Sequence, residues 1–235
     1  MKFNTYAWKG RLFPAIISII IPIIIFNHFF VSEKFRSLLG DVFYVKIIPN
    51  LTISAIILYY SAEVGRFFGK HIFERIYFES ESNMPTTRLL LFKDKTFSDD
   101  YKKKIHRKIF TDFNIRLPTK SEEDSNADLA RTKIVETMSL IRKKLHRNSF
   151  LLQHNIEYGA MRNLIGGAVL GVILSIFNIV FFSRYYPIDL AVHISIATLI
   201  VYLLLILFSK IIITFYGNNY AKILYREYLS SKKKA

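Results

Sequence analysis

Nine cations fall in two short runs: Lys102, Lys103, Lys104, Arg107 and Lys108 in the first, Arg142, Lys143, Lys144 and Arg147 in the second. Fixed positive charge at that density holds anions, and the two candidates are a phosphorylated messenger and the phosphates of lipid headgroups. The whole chain is basic, with 33 Lys and Arg against 18 Asp and Glu and a formal charge of +15. Nucleic acid is not the expected partner, because no surface of interleaved aromatic and basic residues is legible.

Other chemistry is sparse. His106, His146, His154 and Glu157 lie near one another in sequence, but there is no HExxH or His-x-His spacing, so no metal site is expected. The absence of cysteine removes thiolate ligands, disulfides and cysteine nucleophiles. No GxxxxGK[ST] or GxSxG occurs, so neither a nucleotide-hydrolase loop nor a serine nucleophile is read, and we expect no catalytic residues, no cofactor and no enzyme. His28 and His193 belong to apolar runs, where they form either a pH-sensitive pair or interfacial side chains touching headgroups. Lys210 most simply extends to lipid phosphates.

The elements that carry these residues are set by four apolar runs, Leu12 to Val31, Ile47 to Ala62, Leu164 to Phe182 and Leu190 to Tyr216. A helix crossing the hydrocarbon needs about 20 mainly apolar residues. The pattern predicts an all-α membrane protein: four transmembrane helices in two pairs, with a mainly helical cytoplasmic domain between spans two and three. The first pair occupies 1–62, with spans at about 12–31 and 45–62. A basic helical domain follows over 63–163. The second pair occupies 164–216, with spans at about 164–182 and 190–213, and a basic tail covers 217–235. Pro14 and Pro22 inside the first span are tolerated if their freed carbonyls find other partners.

Lys2, Lys9 and Arg11 precede the first span, and Lys222, Arg226 and Lys232 to Lys234 end the chain. The outer turns hold only Lys34, Arg36, Lys46 and Arg184. The positive-inside rule places both termini in the cytoplasm of a multi-pass protein of the cell inner membrane.

Within the spans, Asn50, Ser54 and Ser61 share one helix face, and Gly167, Gly171, Ser175 and Asn178 form a stripe on another. Such stripes either pack helices closely or line a pore between copies of an oligomer. In the central segment, span two is expected to continue as one helix through the stretch after Ala62. The stretch RLLLF is a short strand or a buried turn, and Ser98 caps a helix. Ile134, Met138, Ile141 and Leu145 repeat at spacings of four, three and four, a heptad-like seam. That seam serves an oligomer, a cytoplasmic partner protein or an intramolecular bundle, and its helix is read as running on through Leu152 and Ile156 toward span three.

GRFFGKHIFERIYFESESNMPTTRLL, then LPTKSEEDSNADLA, then the basic helix, then NIEYGAMRNLIGG resembles a group of little-characterised bacterial four-transmembrane proteins with a cytoplasmic helical insert, over Gly65 to Gly167. The resemblance carries over no catalytic residues. The plan is also similar to that of small membrane effectors of anti-phage defence. What it implies is a homo-oligomer that permeabilises or depolarises the inner membrane when its cytoplasmic domain senses a signal. The alternative is a membrane sensor or anchor that recruits a soluble partner without conducting.

Overall fold

The computed structural model describes the backbone over residues 5–31 and 47–231 and the side chains over 5–30 and 55–231. The described residues are helical, with no strand. Three helices are long and apolar enough to cross a membrane: α1 (Thr5–Phe30), α7 (Ser149–Arg184) and α8 (Asp189–Leu207). Between α1 and α7 lie α2 (Ile47–Phe67), α3 (Pro85–Arg88), α4 (Asp99–Phe113), α5 (Lys120–Ser125) and α6 (Ala127–Lys144), and the chain ends in α9 (Ser209–Ser230). The helix α2 covers most of the second expected span and runs on without interruption through a π-helical stretch, Phe68–Phe73, to Phe78. Glu79 ends it in the left-handed region, at φ 59°.

Two expected helices are shorter than the sequence suggested. The run from Leu190 to Tyr216 is broken at Phe208, where α8 stops and α9 begins; the Ile206 carbonyl accepts from the Phe208 N–H and from the Ser209 hydroxyl. The basic helix α6 stops at Lys144 instead of running on. Asn148 starts α7, its side-chain oxygen accepting from the Leu151 N–H at 2.7 Å.

The chain forms two compact units, Met1–Glu74 with Gly159–Ile212, and Arg75–Tyr158 with Ile213–Ala235. In the first unit apolar side chains face outward: Ile24 and Ile173 are each 55% exposed and Leu204 45%. Surface of that kind is normal against lipid and unfavourable in water. The interior is small and polar. Gly65 and Gly69 of the helix over 47–78 meet Gly166 of α7 so closely that a Cβ on Gly166 would fall within 3.0 Å of the Gly65 carbonyl. Pro14 has no N–H to offer the Gly10 carbonyl, and Asn163 Nδ2 supplies the missing donor at 2.7 Å. At the far end of α1, Phe26, Phe29 and Phe30 pack around Ile25 and Phe182.

The second unit has an apolar core of its own. Ile105 and Ile109 of α4, Ile134, Met138 and Ile141 of α6, and Leu224, Tyr225 and Tyr228 of α9 are all buried together. The segment read as a tail thus supplies a wall of this core. Leu89 to Leu91, the undecided stretch, is a buried turn following α3. Its backbone is satisfied by two charged side chains. Glu123 accepts from the N–H groups of Phe92 (2.6 Å) and Lys93 (3.0 Å), and Lys102 donates to the carbonyls of Leu91 (2.6 Å) and Asp94.

Candidate anion-binding cleft

The α4 helix begins as the sequence predicts. Ser98 accepts from Tyr101 N–H at 3.3 Å, and Asp99 and Asp100 stand in the positive first turn. Burial of Ile105 and Ile109 against the core fixes the rotation of the helix, which leaves Lys103, Lys104 and Arg107 exposed. At its carboxyl end Asn114 turns the chain in the left-handed conformation, φ 55°. The following loop returns to α5, which opens with a capping box between Thr119 and Glu122.

A cleft of about 840 Å³ lies between α4 and this returning loop. Four cations line it: Lys103, Arg107, Arg116 and Lys120, against one carboxylate, Asp99. Lys103 and Arg116 make only exposed ion pairs, with Asp100 at 3.5 Å and Glu122 at 3.6 Å, worth little in water. Arg107 and Lys120 have no ion-pair partner among the described residues. Two aromatic rings share the cleft. Phe92 is buried, and Phe110 is 55% exposed. The imidazole of His106 stands edge-on to Phe92 at 5.4 Å between ring centres, and its Nε2 is buried without a hydrogen-bond partner. Burial holds His106 down to about 4, opposed by a hydrogen bond with the Leu90 backbone and reinforced by the charge of Lys102, so the ring is neutral at neutral pH.

The nine cations of the sequence therefore separate by role. Lys103 and Arg107 reach the cleft, joined by Arg116 and Lys120, which the sequence reading passed over because the loop alone brings them there. Lys102 is wholly buried and binds the 89–94 turn. Burial pushes its ammonium below the usual lysine value, while the charges of Asp94 and Asp99 oppose that. Lys108 and Lys144 converge on Asp112, at 3.7 and 2.7 Å. Arg142, Lys143 and Arg147 are exposed, Arg142 lying 3.5 Å from the Thr86 hydroxyl. Lys104 is exposed on α4 but does not line the cleft.

The seam residues Ile134, Met138, Ile141 and Leu145 are buried within the chain's own core, between 0 and 6% exposed, which is the intramolecular bundle among the three readings. In the span stripe, Ser61 is buried, Gly167 lies against the Ser18 side chain and Gly171 against the ring of Tyr202. Asn178 donates to the Pro22 carbonyl at 2.8 Å, and Ser175 is buried. Within one chain these residues pack helices. The side chains of Asn50 and Ser54 lie outside the described residues. His28 has its ring against Phe29, and His193 Nδ1 lies 2.7 Å from the Asp189 carbonyl one turn back.

Sequence reasoning missed the Gly65-x-x-x-Gly69 pair and a buried ion pair, Arg162 Nη1 to Glu74 at 2.7 Å. A charge immediately before an apolar run was the available signal for Arg162. His154 pairs with Glu157 at 3.0 Å, and among the described residues no three His, Cys, Asp or Glu side chains gather as metal ligands. No family model, curated protein or solved structure matches the chain.

Proposed function

We propose that this is a signal-responsive membrane effector: the helices of the first unit lie in the inner membrane, and the second unit binds an anionic signal that switches the protein to permeabilise the bilayer. The observation that carries this reading is the union, in one short chain, of three bilayer-length helices with a separately cored unit bearing a four-cation cleft. An anchor for apolar lipid contact needs no such cleft, and a soluble binding module needs no such helices. The conducting state is a homo-oligomer, since one chain's small-residue stripe is used up in packing its own helices. Phage defence is the setting proposed for it, with a phage-generated signal as the trigger.

The alternative of a non-conducting recruiter drew its support from an exposed heptad-like seam, and those four side chains face the core. The test is made in bacteria carrying the chain with its neighbouring genes, challenged with a panel of phages while a potential-sensitive dye is followed. Collapse of the membrane potential after infection, absent when the chain is deleted, is expected. A steady potential during effective defence, with the protein present in the membrane fraction, overturns the effector reading.

A further inference from the structure

The cleft between α4 and the loop over 114–119 has features that narrow the class of anion it takes. It is an open groove whose volume, about 840 Å³, lies in the range of small-molecule sites and exceeds what one inorganic phosphate fills. The cations are distributed along it: Lys103 and Arg107 sit one turn apart on α4, Arg116 lies in the returning loop and Lys120 opens α5. Four positive groups spread in this way fit an extended polyanion better than a single charge. Beside them Phe110 is 55% exposed, next to the buried Ile109 on the same helix. An exposed ring next to cations is a stacking platform for a flat heterocycle. His106 Nε2, buried and unpartnered, adds one uncommitted polar atom in the lining.

Building on the signal-responsive reading above, we propose that the cleft binds a nucleoside phosphate: Arg107, Lys120, Lys103 and Arg116 hold the phosphates, and the base stacks on Phe110. Binding draws the two walls together, because the phosphates bridge α4 to the loop. The two aromatic and polar contacts, Phe110 and His106, select the base, while the cations set affinity and its salt dependence.

The test uses the full chain in nanodiscs of phosphatidylcholine, titrated with ATP carrying a fluorescent methylanthraniloyl group on the ribose. Saturable binding, weakened by added salt, is expected. The R107A/K120A double variant should lose at least about tenfold in affinity, since each removes a charge-assisted contact, whereas K104A, exposed on the same helix outside the cleft, should bind as wild type. The F110A variant should weaken ATP binding and leave competition by inorganic pyrophosphate unchanged. The proposal is overturned by absence of binding up to about 1 mM ATP with the protein folded. It is equally overturned by R107A/K120A binding as tightly as wild type, or by pyrophosphate displacing the probe as well as ATP does. Repeating the titration in nanodiscs containing phosphatidylglycerol separates the two sources of phosphate: unchanged ATP binding supports the proposal, and loss of it assigns the cleft to headgroups. Failure here with a phage-induced potential collapse intact removes the ligand assignment alone. The reverse result removes the effector reading alone.

Discussion

Replacing Asp112 with alanine should weaken the second unit by uncoupling three of its helices. The carboxylate is 3% exposed and takes Lys144 Nζ at 2.7 Å, the Tyr228 hydroxyl at 2.9 Å and Lys108 Nζ at 3.7 Å. It thereby ties α4 to α6 and α9. Burial pushes the Asp112 carboxyl up, but the hydrogen bonds from Lys144 and Tyr228 and the charges of Lys108 and Lys144 outweigh it and hold it below the usual aspartate range. Lys108 keeps the Ser231 carbonyl at 2.7 Å when Asp112 is lost. Lys144, 11% exposed, keeps only the distant faces of Phe113 and Tyr228.

Breaking a buried pair by deleting one partner costs about 3–5 kcal/mol. Lys144 can extend part of the way to water, so the low end, about 3 kcal/mol, applies to D112A. D112N keeps an oxygen for Tyr228 and loses the charge, at about 1–2 kcal/mol, and Y228F removes one hydrogen bond to a charged group, at about 1.5 kcal/mol. Hydrogen exchange by mass spectrometry on the full chain in detergent reads the unit directly, because peptides of α4 and α6 report its opening. A loss of about 3 kcal/mol appears as roughly a hundredfold faster exchange in both peptides. Equal protection in D112A and wild type, or equal effects of D112A and D112N, would show that the charge does not hold the three helices together.

Two further outcomes follow from the same structure. The folded value of His106, about 4, lies below its ordinary 6.5, so the unfolded chain gains the proton first as pH falls: stability of the second unit should decline from about pH 6.5 to about 4, by up to about 3 kcal/mol, and level off below. His106→Gln removes that decline, and an unchanged pH profile of exchange in H106Q would count against it; the Asp112 contribution is separable, being full above about pH 3.9 and lost only as pH falls through its still lower folded value. In the first unit, Gly166→Ala places a Cβ within 3.0 Å of backbone that cannot move aside and should destabilise by about 1–3 kcal/mol. Gly10→Ala meets only the Tyr6 ring at 3.6 Å and should be neutral or stabilising by up to about 1 kcal/mol. Thermal melts of both variants in detergent test the contrast, and an equal shift in the two would refute the close-approach argument.

Local signals in the sequence located some of the helix starts. Ser98, Thr119 and the apolar spacing of α4 and α6 each encode their structure within a few residues, whereas apolar length reveals that α1 and α7 exist but not that they begin at Thr5 and Ser149. What those signals could not reveal was which partner each face meets. The seam of α6 reads identically whether it faces a second chain or α9, because Leu224, Tyr225 and Tyr228 are far away in sequence and sit among charges that resemble a tail. The cations of α4 read as one cluster because they are adjacent in sequence. Helix rotation then sends Lys102 inward and Arg107 outward, and only the fold adds Arg116 and Lys120.

The polar residues within the apolar helices show the same limit most sharply. Asn178 belongs to the stripe read as helix packing or pore lining; Asn163 and Asn178 each donate to a backbone carbonyl of α1, Gly10 and Pro22 respectively. The first of those acceptors exists because Pro14, four residues on, carries no N–H. A buried carbonyl left without a donor costs about 1–3 kcal/mol, so the proline and the asparagine, about 150 residues apart in sequence, work as one unit. A pore that recruited Asn163 to its lining would have to leave the Gly10 carbonyl bare or wet it from the lumen. Parting α1 from α7 would break both of these hydrogen bonds, so the two helices are held as a pair.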